Sequence, residues 1–324
     1  MNDEAKLVSK VLVLESNPAY HEKIKAFCDE NNLIGLKVQP ENVMSVLRSN
    51  VDLGGILLSE NYDGNPQGGL LMAHRMHAIR AELPIFLRRE SIQNLDDIAP
   101  GERRSLSAAY TIDSMERLQA VIGEYIFSLA YPNVLVRGIT EITRTALESQ
   151  FKGMDVEVAP PYIVRDRLIY GEIFTLIPIE SSWCRGYMML QTEELALLDL
   201  VKANKTHINP SEGYDFRNLN GVLGEITNLV WGAFKNRYMT DVANSGHLSQ
   251  VPIVINHLHR YISFGSDNPQ LCFKYTLTDS TGSEVRRLDL YQKFVFNLSW
   301  SPEDFHENLT SVEDLVASGE LDLF

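Results

Sequence analysis

Cysteine is scarce here: three in 324 residues, Cys28, Cys184 and Cys272, odd in number and far apart. That excludes a disulfide framework, fits a reducing cytoplasm, and shows no metal-ligand spacing. No run approaches the ~18 apolar residues of a membrane span, and the opening MNDEAKLVSK has no apolar signal region. The expectation is a soluble cytoplasmic protein without a membrane partner. Basic residues are also in short supply, 29 Lys and Arg against 43 Asp and Glu, a formal net charge of -14. Binding to nucleic acid needs a basic stripe to meet the phosphates, and none is visible. An acidic surface suits a protein partner or plain solubility.

What is present is enough for two domains. The length is about twice the common single-domain size, and 44% hydrophobic with 22% charged residues is ordinary for a chain that buries real cores. The first part alternates short apolar runs with amphipathic stretches. Val11 to Leu14, Ile34 to Val38, Asp52 to Leu58, Pro84 to Leu87 and Ala108 to Ile112 read as strands. The polar turn at Glu15 to Pro18 leads into a helix through Phe27, and Pro40 to Leu47, Gly68 to Arg80 and Ser114 to Leu129 read as further helices. Such alternation predicts an α/β doubly wound parallel sheet, whose working site lies beyond the carboxyl ends of the strands.

This order and spacing resemble the CheY-like receiver family over residues 1–128. Receivers carry paired acids after the first strand, which help hold magnesium; here stand Glu15 and Ser16. The phospho-accepting aspartate that ends the third strand is replaced by Ser59. The Ser or Thr after the fourth strand is replaced by Arg88-Arg89, and no lysine follows Tyr110-Thr111-Ile112-Asp113. An acyl phosphate needs a carboxylate nucleophile and a hard cation needs several oxygen ligands. The resemblance therefore implies a degenerate receiver, kept for docking or dimerisation, with Glu60 as a fixed negative charge or a displaced acceptor.

After Tyr131 the pattern changes. Helices are predicted over Asn133 to Phe151, Thr192 to Lys202 and Asp215 to Arg237. Strands are predicted over Asp155 to Val158, Glu172 to Pro178, Gly186 to Gln191, Val251 to Ile255, Tyr261 to Phe264, Leu271 to Thr278 and Asp289 to Phe296. That mixture predicts an α+β domain over 129–300. In the long helix Phe216, Leu219, Leu223, Ile226, Val230 and Ala233 step by three and four and define a buried stripe. Arg217, Gly221, Gly224, Glu225, Asn228, Gly232 and Lys235 fall on the opposite face. Each glycine there costs about 1 kcal/mol against alanine, so helix propensity does not explain them. Glu225 and Asn228, three apart, are neighbours on that face. They form either a hydrogen-bonding pair offered to a partner or part of a solvated surface, with the glycines serving helix packing.

The segment from Leu223 to Gly232 resembles the CheC/CheX/FliY phosphatase signature, a glutamate and an asparagine three apart with a glycine four residues later. The resemblance runs from about Tyr131 to Trp300 and implies a CheX-like domain. The implied activity is hydrolysis of the phospho-aspartate of a CheY-like response regulator in two-component or chemotaxis signalling. Asn228 would orient the water, Glu225 would pair with the partner's lysine, and Gly221, Gly224 and Gly232 would admit its loops. The magnesium ion would belong to the partner receiver, so no metal or cofactor is expected on this chain. A non-catalytic adaptor or scaffold that binds response regulators is the alternative, and a homodimer is plausible. Glu141-Ile142-Thr143-Arg144 echoes Glu225-Ile226-Thr227-Asn228. Arg144 stands where the second asparagine would be, so a single site is expected.

Four further features are ordinary on their own. His257 and His259 alternate on one strand without a third ligand. Cys184 lacks a histidine to activate it and suits packing better than nucleophilic chemistry. Asp113, Asp166 and Arg167 show no catalytic pairing. The segment 301–324 holds seven acids and no lysine or arginine, and reads as an acidic tail or a docking helix.

Overall fold

The computed structural model describes residues 7–49, 52–166, 168–170, 172–207, 216–239, 253–256, 261–263, 268–279, 285–305 and 307. The first unit runs β1 (Val8–Leu14), α1 (Pro18–Glu30), β2 (Leu33–Lys37), α2 (Val43–Arg48), β3 (Gly55–Ser59), α3 (Gly68–Ile79), β4 (Ile85–Arg89), α4 (Pro100–Arg103), β5 (Ala108–Thr111) and α5 (Met115–Tyr125). All five strands are parallel, in the order β2-β1-β3-β4-β5. This is one of the two common doubly wound orders. Side chains alternate between two cores, as strand geometry requires. Val11, Val13, Leu57, Phe86 and Tyr110 pack towards α1 and α5. Leu12, Leu14, Ile56, Leu58, Ile85 and Leu87 pack towards α2 and α3. Asn17 starts α1 by accepting from the Ala19 amide at 2.9 Å, with Pro18 in the first turn, where its missing N–H costs nothing.

The second unit runs α6 (Asn133–Gln150), β6 (Asp155–Val158), β7 (Tyr162–Val164), β8 (Leu168–Tyr170), β9 (Ile173–Glu180), β10 (Cys184–Thr192), α7 (Glu194–Lys202), α8 (Phe216–Tyr238), β11 (Ile253–Asn256), β12 (Tyr261–Ser263), β13 (Gln270–Asp279) and β14 (Arg286–Trp300). Its main strands are antiparallel in the order β11-β9-β10-β14-β13, while β8 and β12 pair separately. Helices α6, α7 and α8 cover one face, over Met188, Leu190, Phe273, Tyr275, Leu288, Leu290, Phe294 and Phe296. The alternate residues Gln191, Lys274, Arg287, Asp289, Tyr291 and Lys293 point to the other face.

The short strand β7 joins the units. It pairs antiparallel with β13 and parallel with the start of β1, so all the described strands except β8 and β12 form one twelve-stranded sheet. The Ser9 hydroxyl donates to the Ile163 carbonyl at 2.8 Å, and the Tyr162 hydroxyl donates to Asp52 at 2.9 Å. Buried Arg80 pairs with buried Asp166 at 3.2 Å. These contacts meet the amino ends of the parallel strands, opposite the end where Glu15 and Ser59 stand. The sequence reading missed β7, β8 and α4, which have three or four residues each and show no periodicity. Thr192, expected to begin a helix, instead closes β10, and β14 is longer at both ends than expected. No helix among the described residues is long and apolar enough to cross a membrane.

Candidate functional site

Helix α8 is fixed from below. Leu219, Val222, Leu223, Ile226, Val230 and Phe234 are buried against the sheet and α6. Buried Thr227 donates to the Leu223 carbonyl at 2.7 Å and shares a 2.7 Å hydrogen bond with Thr175 on β9. At the C-terminal end the Trp183 indole donates to the Tyr238 carbonyl at 2.9 Å. The expected stripe holds except at Ala233, which is exposed while Phe234 takes the buried place. At 3.6 residues per turn the inward face drifts past Ala233, and the larger apolar side chain occupies it. The side chain of Phe216 lies outside the described residues.

With its inner face so pinned, α8 presents Gly221, Glu225 and Asn228 exposed and Gly224 and Gly232 half-buried. Among the described residues no hydrogen bond or ion pair engages Glu225 or Asn228. A side-chain carbon built on Gly224 or Gly232 would meet nothing within 4 Å. Packing among the described residues therefore does not call for either glycine, and the helix-packing explanation fails for both there. Gly138 on α6 is the contrast: a carbon there would sit 1.6 Å from the Tyr238 hydroxyl, so glycine is what lets α6 and α8 approach.

The echo between the two helices is structural. Thr143 is buried like Thr227 and donates to Gln292 at 3.1 Å. The outward residues differ, however. Glu141 is held by Arg237 at 3.0 Å, and Arg144 is paired with Glu148 at 2.8 Å. Both outward residues of the α6 copy are engaged, one by α8 and one within α6, whereas among the described residues neither member of the α8 pair is.

At the carboxyl ends of the parallel strands, the groups where a receiver would work form a closed network around an arginine. Buried Arg88 donates from Nε to Glu15, from one terminal nitrogen to Ser59 at 2.8 Å, and from the other to Glu90 at 3.0 Å. Its guanidinium also lies 4.6 Å from the centroid of the Tyr20 ring. Burial alone would lower the Arg88 pKa, but hydrogen bonds and charge from Glu15 and Glu90 outweigh it, so the cation is held firmly. Arg89 binds Glu60 at 3.0 Å and also Asp97. Its hydrogen bond holds the exposed Asp97 carboxyl below the usual range. Ser16 accepts a long 3.4 Å bond from the Asp63 amide. Glu15, Ser59 and Arg88 are thus brought together, Ser16 sits beside them, and Glu60 is a charge fixed by Arg89. Sequence reading noted Arg88 and Arg89 only as departures; their reach into this end of the sheet was not visible in it.

The remaining candidates recede. Cys184 is buried, its thiol pushed up to about 12 by burial, and it packs as an inert side chain. Asp113 is exposed and pairs loosely with Lys23 at 4.0 Å. Asp166 belongs to the junction, while Arg167, His257 and His259 lie outside the described residues. Of the acidic segment, Phe305 packs on Trp183 and Tyr238, with ring centroids at 5.0 and 5.5 Å. Glu307 pairs with Arg237, so the described start of this segment docks beside the end of α8.

No family model matches the chain, and neither does any curated protein. Among solved structures, a chemotactic CheC-like protein from Shewanella oneidensis aligns at 19% identity with a TM-score of 0.33, over 50% of this chain and 94% of its own. The chemotaxis protein CheX from Vibrio vulnificus aligns at 21% identity with a TM-score of 0.32, over 50% of this chain and 99% of its own. These neighbours of half the chain are chemotaxis proteins of the CheC and CheX type.

Proposed function

We propose that this chain hydrolyses the phospho-aspartate of a CheY-like response regulator, with Glu225 and Asn228 on α8 as the working pair. The observation that carries the reading is the open pair itself: an acid and an amide on one helical face, unengaged among the described residues, beside Gly224 and Gly232, which packing among those residues does not require. The resemblance of this segment to the CheC/CheX/FliY signature names the chemistry.

In that chemistry the substrate brings its own magnesium ion, and the chain supplies position. The Asn228 amide orients a water in line with the acyl phosphate. Water attacks phosphorus, the bond from phosphorus to the aspartyl oxygen breaks, and free carboxylate and inorganic phosphate leave. Orienting one water is enough because such transfers depend mostly on positioning and electrostatics. Glu225 pairs with the partner's lysine and sets the register. Gly221, together with the gaps at Gly224 and Gly232, receives the partner's loops. The first unit, in this reading, is a pseudo-receiver whose Arg88 stands where a metal and phosphate would be neutralised.

The test follows phosphate loss from phosphorylated CheY-like receivers with the wild type, Asn228→Ala and Glu225→Ala. Asn228→Ala should lose about 100-fold or more in rate, in line with a single positioning group in a preorganised site, while still binding. Glu225→Ala should weaken both binding and rate. Binding without acceleration by the wild type would overturn the phosphatase and leave an adaptor.

A further inference from the structure

Away from α8, on the other face of the second unit's sheet and beside the start of α7, lies a cavity of about 550 Å³. Its walls come from both units: Lys10 and Asp52 from the first, and Gln191, Lys274, Arg287 and Lys293 from the second. Lys10, Lys274, Arg287 and Lys293 bring four positive charges, against three acids, Asp52, Glu193 and Asp289. The acids are unevenly spread. Asp289 alone serves Lys274 at 3.1 Å, Arg287 at 3.1 Å and Thr276 at 2.7 Å. Lys10 has a ring for company, its ammonium 5.2 Å from the centroid of Tyr162. In a chain of net charge -14 this is a local excess of cations.

Two buried groups in the wall are under-served. Lys293 is 1% exposed, and its ion pair with Asp52 is long, 3.6 Å. Burial acts to lower its pKa, yet Asp52 and the other nearby groups carry it upward, so the ammonium stays charged. Three donors on such a group call for more acceptor than one distant carboxylate gives. Gln191, 5% exposed, has a side-chain oxygen without a hydrogen-bond partner among the described residues. A buried acceptor left unpaired costs about 1–3 kcal/mol, which a bound donor would recover. Tyr291 adds a second ring, with the Lys274 ammonium 5.3 Å from its centroid.

We propose that this cavity binds a mononucleotide, with phosphate on the lysine and arginine side chains, the base against a tyrosine ring, and a base amino group donating to Gln191. The volume lies within the ~300–1,000 Å³ range of small-molecule sites. Phosphate would supply the missing acceptors for Lys10 and Lys293. A planar base suits an aromatic wall, and an exocyclic amine suits a free amide oxygen.

Isothermal calorimetry of the full chain with AMP, GMP, ATP, GTP and inorganic phosphate tests this. At least one nucleotide should bind at least about tenfold more tightly than phosphate, a difference of about 1.4 kcal/mol. Lys10→Ala and Arg287→Ala, both at the open rim, should each weaken it several-fold without lowering the melting temperature. Gln191→Leu should narrow the preference among bases. Three results would overturn the proposal: no binding by any nucleotide, inorganic phosphate binding as tightly, or rim variants that bind as the wild type does.

Discussion

Arg88 decides what the carboxyl end of the first sheet can be. Its buried guanidinium satisfies Glu15 and Ser59 together, so the acid that would help hold a cation already has one, covalently attached to β4. Removing it strands a carboxylate that is 2% exposed. Arg88→Ala should therefore destabilise the chain by about 3–5 kcal/mol, the usual cost of breaking a buried pair, seen as a lower urea midpoint. An added double change, Glu15→Gln with Arg88→Met, should recover much of that loss, because no unpaired charge remains. A midpoint unmoved by Arg88→Ala would mean the network contributes nothing. That a serine, Ser59, and not an acid ends β3 was legible in the sequence. The replacement network was not, because it depends on the direction in which β4 aims a long side chain.

At the scale of elements, α8 carries the argument. Twenty-three residues with a steady apolar period gave a strong signal, and the prediction of Asp215 to Arg237 lies within a residue of the observed bounds at each end. Short elements such as β7 gave none, because three residues cannot show a period. One open and one packed glycine make a discriminating pair of substitutions. Gly224→Ala meets nothing within 4 Å and should gain up to about 1 kcal/mol from helix propensity. If that face receives a receiver, the same change should slow phosphate release. Gly138→Ala, facing the Tyr238 hydroxyl, should instead lower the melting temperature. Thermal melts of both variants, run beside the phosphatase assay, separate space left for a partner from space needed for packing.

The whole molecule is held across β7 by contacts far apart in sequence. Ser9 reaches Ile163, and Lys293 reaches Asp52. No local pattern announces such pairings, and for that reason the continuity of one sheet across the two units was not legible in the sequence. Arg80 is the pivot that can be tested. It pairs with Asp166 and Glu82 and donates to the Arg165 carbonyl at 3.0 Å, all while buried. Arg80→Ala should split thermal unfolding into two transitions in calorimetry, as the junction loosens before the cores do. A single sharp transition, unchanged in temperature, would show that the strands alone couple the units.

The placement of β7 also bears on how this protein can be taken apart. A chain started after Tyr125 would leave one edge of β7 without β1, baring unpaired amides and carbonyls, and would leave Lys293 without Asp52. Bare strand edges recruit other strands. Such a fragment should gather into multimers or precipitate on expression, while the intact polypeptide stays dispersed, so the seam between its halves also acts as a guard against self-association.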